Sequence, residues 1–403
     1  MFKPVRILQV TCLNLLLVGC AATHTGPSSG ETAAPPAPID TSTTAAPGAL
    51  PLTIPEPSPS IQAGQSTPGN ASFVQPDGQL TPNIQAYAHE VASARGIPLN
   101  HVESLLKLAS YDAAAAKLMT PSRTRIRRSW VTYRNRFVEP IRIEAGTEFW
   151  TANKAKLDET ASTYGVPASI IVAIIGVETI YGRITGNFRV LDALATLGFR
   201  HPDTARPERS QLFRDQLADL IELDYQNKLD ANLAQGSFAG AMGLPQFMPG
   251  SLMRYAADGD NDGRIDLLYS VDDAIVSVAR FLRLHGWVPG LPVFAPVTLP
   301  ANAKAMVAGG LFPTLSWTQL HDQGARLRPA QGNATSDGAS QDWMRHKLGV
   351  VDLLDEPRNQ AEYRVGTPNF FAITHYNRSY FYATSVADLA QALADRMGYG
   401  GPN

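Results

Sequence analysis

The chain reads as a mainly α (α+β) protein: a helical body carrying one small strand-containing insertion. Three observations predict this. Apolar residues recur at helical spacing in five separate stretches. From about residue 288 to 372 that rhythm gives way to short β-like pieces broken by Pro and Gly. Near the middle, Val166 to Gly182 holds an apolar run of about a dozen residues, too short for a bilayer span and therefore a buried core helix.

The N-terminus reads as an address. Lys3 and Arg6 precede the mostly apolar stretch Ile7–Val18, a positive region followed by a short hydrophobic one. It ends in Leu17-Val18-Gly19-Cys20, which resembles the lipobox of bacterial lipoproteins. That resemblance implies a signal peptide over 1–19, lipidation of Cys20, and a periplasmic protein anchored to the membrane. Ala21 after the cysteine, rather than Asp, implies the outer membrane by resemblance to enterobacterial lipoproteins. An ordinary secretory signal with an incidental cysteine is the alternative. Residues 20–81 are rich in Pro, Ala, Ser and Thr, with no Lys or Arg between Arg6 and Arg95. Such a segment cannot bury enough apolar surface to fold, so it reads as a disordered tether. Its root-mean-square reach is roughly 45 Å.

The helical stripes follow in order. Val102, Leu105, Leu106 and Ala109 form one, and Trp150, Leu157, Ala161 and Tyr164 a second. Leu212, Phe213, Leu217, Leu220 and Ile221 form the third. Ala274, Ile275, Val278, Ala279 and Leu282 make the fourth, ending at His285-Gly286, a C-terminal cap. Val386, Leu389, Ala390, Leu393 and Met397 make the fifth. Val293-Phe294 and Gly349-Val350-Val351 are the β-like pieces, and 331–341 reads as a loop. The strand-containing insertion is expected over 288–372.

Composition narrows the function. Thirty-four Lys and Arg against 36 Asp and Glu leave a net charge of −2, without the cationic excess of a nucleic-acid binder. Hydrophobic residues at 44% suffice for real cores. Both cysteines, Cys12 and Cys20, lie in the first twenty residues, so the folded body has no disulfide framework or cysteine-based metal site.

Within Val166–Gly182, proline stands where a first helical position would be and Gly182 where a C-terminal cap would be. Glu178 ends the apolar run. A carboxylate held there would be poorly hydrated, its pKa raised and its protonated form favoured. A general acid for glycosidic bond cleavage needs that state near neutral pH. By spacing alone, the same Glu also fits a helix end emerging into solvent.

The segments Ile175-Gly176-Val177-Glu178-Thr179 and Tyr181-Gly182-Arg183, with Leu191-Asp192-Ala193-Leu194-Ala195-Thr196-Leu197 downstream, resemble the catalytic-helix region of the membrane-bound lytic murein transglycosylase B family, glycoside hydrolase family 103. So do Gly236-Ser237-Phe238-Ala239-Gly240-Ala241-Met242-Gly243 with Pro245-Gln246-Phe247-Met248-Pro249. Gly366-Thr367-Pro368-Asn369-Phe370 and Tyr376-Asn377-Arg378-Ser379 complete the match. The resemblance implies a lysozyme-like catalytic core over 160–287, a helical lobe over 82–159 joined by 373–403, and the strand-bearing insertion over 288–372 between them. It also implies cleavage of the β-1,4 bond between N-acetylmuramic acid and N-acetylglucosamine, leaving 1,6-anhydromuramoyl ends.

On that resemblance Glu178 is the sole catalytic residue, acid first and base second. No further Asp or Glu follows it until Asp192, in keeping with a mechanism assisted by the sugar's own acetamido group. Tyr133, Ser237, Gln246, Tyr376, Asn377 and Tyr382 match substrate-cleft positions. Unaided, each tyrosine reads as core rather than ligand, and tight helix packing is the alternative for Gly240–Gly243. The implied partners are peptidoglycan strands, the membrane through Cys20, and cell-wall synthases or amidases. No catalytic cofactor is implied. Leu244-Pro245, Arg280-Phe281 and the stretch His201–Arg209, which lacks an adjacent arginine pair, depart from the family pattern. The competing readings are a lysozyme-type hydrolase and a non-catalytic wall-binding lipoprotein.

Asp258, Asp260 and Asp262 with Gly263 have the 1, 3, 5 and 6 spacing of an EF-hand calcium loop. Arg264 stands at position 7, where the backbone carbonyl ligates, and Asp266 at position 9. Position 12 is Tyr269, which cannot ligate as a glutamate does; Asp272 and Asp273 lie slightly further on, and the family resemblance implies a lengthened loop closed by a later Asp. A structural Ca2+ is expected; a solvated acidic turn is the alternative.

Overall fold

The computed structural model describes residues 72–122, 124–328 and 341–402. The leader, Cys20, most of the tether and all but the last residue of the 331–341 loop lie outside the described residues. The fold is mainly helical, as the stripes require, with fourteen α-helices and three two-stranded ribbons among the described residues.

The packed body begins earlier than the sequence suggests. Phe73 and Leu80, inside the expected tether, are both 2% exposed and belong to the main core. Two large apolar residues seven apart suffice to fold a short turn onto the helices, and Arg200 covers the Phe73 ring from outside.

Helices α1 (Pro82–Arg95), α2 (Leu99–Leu108) and α3 (Ala113–Met119) come first. They are followed by α4 (Trp130–Arg134), α5 (Pro140–Ala152), α6 (Lys154–Tyr164) and α7 (Ala168–Thr179). The expected 82–159 lobe is divided: α2 packs on α9 (Pro207–Tyr225) and α3 on α8 (Val190–Phe199), whereas α5 and α6 pack on α7. The reason is local. Tyr87 of α1 buries its ring against Phe199 and donates its hydroxyl to the Arg214 carbonyl. Arg95 then ion-pairs with Asp219 and Glu222 of α9. The second expected stripe also divides, because Trp150 lies on α5 and Leu157 on α6, with a break at Asn153.

Strand β1 (Phe188–Arg189) precedes α8 and pairs antiparallel with β2 (Gln235–Gly236), which follows α9. The chain continues through α10 (Pro249–Tyr255) and α11 (Val271–Leu284). The insertion contains β3 (Val297–Thr298), α12 (Trp317–Asp322), β4 (Arg326–Leu327), β5 (Gly349–Asp355) and β6 (Gln360–Gly366). β5 and β6 form a hairpin in register from Gly349↔Gly366 to Asp355↔Gln360. The insertion has its own apolar cluster, including Leu291, Val297, Leu320, Trp343, Val350 and Val365. Val293-Phe294 is not a strand; Phe294 makes a single bridge to Gly366.

Helices α13 (Pro368–Thr374) and α14 (Tyr380–Met397) return the chain to the main core, where α14 lies along α7. Asp388 of α14 accepts from Arg134 of α4 and Arg364 of β6, so one buried carboxylate ties the insertion to the helix that will matter most.

Candidate active site

The site is built on α7. All twelve of its residues are buried. Ile and Val are mediocre helix formers, but complete burial overrides propensity, at roughly 1.5–3 kcal/mol for each large apolar side chain. Among the described residues no single helix is long and apolar enough to cross a membrane. Pro167 is the N-cap rather than the first helical residue. The helix also stops three residues before Gly182. Ile180 (φ 51°) and Tyr181 (φ 57°) both take left-handed backbone before Gly182 does. For a β-branched residue that conformation is strained, and strain of this kind gathers at functional sites.

Thr179 locks the turn. Its hydroxyl donates to the Leu244 carbonyl at 3.1 Å and accepts from the Gly182 amide at 3.0 Å. Arg142 of α5 donates its Nε to the Gly176 carbonyl at 2.8 Å, placing a cation at the helix C-terminus where the dipole favours it.

Glu178 does not emerge into solvent. It is 0% exposed, one residue from the helix end. Its Oε1 accepts a 2.6 Å hydrogen bond from the Tyr382 hydroxyl, donated from the first turn of α14. Burial pushes the Glu178 carboxyl up to about 8, against a lesser downward pull from that hydroxyl. Asp192, the next acid along the chain, is engaged elsewhere, accepting from the Ser110 amide and pairing with Arg189.

The expected cleft residues divide by role. Tyr382 is only 1% exposed, so its ring offers no face to a sugar; its hydroxyl reaches the acid instead. Tyr376 is half-buried and lies nearly parallel to Tyr382, ring centroids 6.2 Å apart, with its hydroxyl on the Pro245 carbonyl. Burial, and then the nearby Glu178 charge, hold the Tyr376 phenol well above its ordinary value. Tyr133 is half-buried against Phe137 and Phe381. Asn377 is 8% exposed, and its amide nitrogen has no hydrogen-bond partner among the described residues. A buried donor without a partner is costly, so it marks a place where a ligand's acceptor would be welcome.

Ser237 and Gln246 belong to the loop between β2 and α10. The Ser237 hydroxyl accepts from the Ala241 amide at 3.1 Å. The Gln246 amide nitrogen donates to the carbonyls of Gly243 and Thr185, closing this loop onto the one that follows α7. Gly243 has φ 70°, and a Cβ there would stand 2.0 Å from the Leu267 carbonyl, so no other residue fits. In the departing stretch, Arg206 and Arg209 both face Asp203, at 2.7 and 3.6 Å. Arg280 donates to the Arg254 carbonyl.

In the acidic loop, carboxylate oxygens of Asp258, Asp260 and Asp262 lie within 4.8 Å of one another. Asp258 Oδ1 is buried with no hydrogen-bond partner among the described residues. Asp266 caps the amides of Leu268 and Tyr269. Asp273 is 1% exposed and accepts from the Gly259 and Asp266 amides, which makes it a brace of the loop. Asp272 stands beside it in the first turn of α11. Nearby, the Lys156 ammonium donates to the Gly259 carbonyl.

Sequence reading missed Thr179, Tyr181 and Arg142. Gly176, inside an otherwise apolar helix, was the available signal for Tyr181, because its bare Cα faces that ring.

A single dry carboxyl with a hydroxyl donor, set where two loops close beside a buried helix, defines a glycan-cleaving enzyme of the lysozyme-like class. The chain belongs to the transglycosylase SLT domain family, which matches residues 79–391. It is 35% identical over 324 residues to membrane-bound lytic murein transglycosylase B of Escherichia coli (strain K12), covering 78% of this chain and 83% of that one. Soluble lytic transglycosylase SltB1 of Pseudomonas aeruginosa superposes with a TM-score of 0.68 at 36% identity, over 79% of this chain and all of that one. Escherichia coli lytic transglycosylase Slt35, in a complex with calcium, gives 0.65 at 32% identity, over 83% and 97%.

Proposed function

We propose that this protein is a peptidoglycan lytic transglycosylase in which Glu178 carries the whole proton chemistry. The observation that carries the proposal is the Glu178 carboxyl itself, wholly buried and hydrogen-bonded to Tyr382. With a pKa near 8 it is mostly protonated at neutral pH, ready to donate to the departing glycosidic oxygen between N-acetylmuramic acid and N-acetylglucosamine. Once ionised, it accepts the proton of the muramoyl 6-hydroxyl as that oxygen closes on C1, giving the 1,6-anhydro ring. The acetamido group of the same sugar stabilises the cationic carbon, so no second carboxylate is required. The Tyr382 hydroxyl holds Glu178 in place and stabilises its ionised form midway through the cycle.

The unpartnered amide nitrogen of Asn377 fits an acetamido carbonyl. Tyr376 and Tyr133 supply apolar edges for sugar rings, and Ser237 and Gln246 shape the loop on the other side. The acidic loop fits a hard cation: three converging carboxylates repel without one, and Asp258 keeps an oxygen idle. Asp258, Asp260, Asp262, Asp266, the Arg264 carbonyl and Asp272 would hold a calcium ion, whose role is structural. The lipobox reading of Cys20 supports a periplasmic protein anchored to the outer membrane, working beside wall synthases or amidases.

Digestion of purified sacculi tests the reaction. Mass spectrometry of the released muropeptides is expected to show anhydro ends, lighter than reducing ends by one water. Reducing ends alone would identify a lysozyme-type hydrolase.

A further inference from the structure

We propose that Tyr181 is the positioning residue of the catalytic acid: its phenol is a wedge that holds the left-handed elbow behind Glu178 and so keeps water from the carboxyl. The proposal rests on the assignment of Glu178 as the acid. Its own basis is the shape of the turn. Two consecutive non-glycine residues, Ile180 and Tyr181, sit at φ 51° and 57°, a conformation unfavourable for each and held only when the surroundings enforce it.

The enforcing contact is the Tyr181 ring, which the elbow swings back beneath the helix it has just left. Its hydroxyl lies 2.3 Å from where a Cβ would stand on Gly176 of α7, and equally 2.3 Å from that position on Gly146 of α5. A methyl of Leu393, from α14, closes on the same Gly146 position at 2.6 Å. One ring thus occupies the junction of α5, α7 and α14, with Phe149 against it at 5.4 Å between centroids. Both glycines are explained by it: any side chain at either would evict the phenol.

The wedge works by shape. The Tyr181 hydroxyl has no hydrogen-bond partner among the described residues, so it contributes no bond to the turn. Glu178 sits three residues before the wedge and shares α7 and α14 with it. If the ring is lost, the Thr179 hydrogen bonds alone must hold the strained backbone at Ile180. The last turn of α7 then opens, water reaches the carboxyl, and the dehydration that keeps it protonated disappears. The other groups around Glu178 are Tyr382 from α14 and Tyr376 from the turn before it. Arg142 and Glu139, from α5 and its N-cap, lie on the Tyr181 side.

The test is the pH dependence of muropeptide release from sacculi for wild type, Tyr181→Phe, Tyr181→Leu, Tyr181→Ala and Glu178→Gln. Activity should require protonated Glu178 and fall through an alkaline limb. Tyr181→Ala is expected to lower the maximal rate at pH 7 by about 10- to 100-fold. Its half-saturation should stay within about threefold, and its alkaline limb should move down by about one pH unit or more. Tyr181→Leu, a smaller apolar wedge that protects against outright unfolding, should fall between. Tyr181→Phe, which keeps the shape, should restore the wild-type profile. An unmoved limb in both Tyr181→Ala and Tyr181→Leu overturns the proposal, as does Tyr181→Phe behaving like Tyr181→Ala. Active Glu178→Gln would instead overturn the acid assignment underneath it, so the two failures are distinguishable.

Discussion

Two regions of this molecule collect carboxyl groups, and they solve the charge problem in opposite ways. At the end of α7 a single carboxyl is stripped of water and bonded to a tyrosine hydroxyl, so folding favours its neutral form. In the 258–266 loop several carboxylates stay near solvent, their oxygens turned to backbone amides and to one another. Burial manages charge by removing it, which suits an acid that must give up a proton. Clustering retains charge, which suits a cation that must be held. The same functional group is therefore the proposed acid in one place and a ligand candidate in the other, by environment alone.

The sharpest way to break this comparison is Glu178→Gln. It keeps shape and hydrogen-bonding capacity but cannot donate the proton, so muropeptide release should fall by about 10³- to 10⁴-fold with binding to sacculi retained. Retained activity would make the dry carboxyl a structural accident. The same substitution also reads the burial cost. The folded chain holds the Glu178 proton up to about pH 8, whereas the unfolded chain releases it near 4.5. Between those values the unfolded state binds fewer protons, so stability falls as pH rises across the window and levels off above it. The full cost is roughly 4–5 kcal/mol for a shift of this size. Glu178→Gln should accordingly match wild type in urea denaturation near pH 4 and exceed it near pH 9. A gap that does not widen with pH would mean the carboxyl is hydrated.

Tyr382→Phe is the next step down. Its hydroxyl pulls the Glu178 pKa downward, so removing it should raise that pKa and carry the alkaline limb of activity to higher pH. The rate at neutral pH should drop about tenfold, because the ionised intermediate loses a charge-assisted hydrogen bond. That limb moves opposite to the one expected for Tyr181→Ala, which separates loss of a donor from loss of dryness.

These regions were not equally legible in the sequence. The apolar run into Glu178 announced a buried helix, and the aspartate spacing announced the loop, because both are local patterns. What was hidden depended on chain brought from afar. Tyr382 read as a substrate-cleft residue and not as the acid's donor, since nothing in its neighbourhood says that α14 lies along α7. The elbow at Ile180 and Tyr181 was invisible because both residues look like ordinary continuations toward Gly182. Phe73 and Leu80 were lost within a Pro- and Ser-rich stretch whose average composition outweighs two good core residues. The 82–159 lobe failed as a unit for a related reason: a helical stripe shows that a face is buried but not which partner buries it.

The smallest expected effect tests the wet side of the comparison, and its sign matters more than its size. Saturating calcium at about 100 times its dissociation constant would contribute about 2.7 kcal/mol, or about 3–4 °C in Tm for a chain of this length. Asp258→Asn retains an acceptor for the Gly263 amide while removing one negative charge from the group formed with Asp260 and Asp262. In chelator the variant should therefore melt at or slightly above wild type, because repulsion is relieved. In calcium the order should reverse, because the variant has lost a ligand whose other oxygen is buried and idle. A crossing of the two melting temperatures requires a cation in the loop. Parallel responses would leave the carboxylates a solvated turn, and the opposition between the two regions would reduce to buried against exposed.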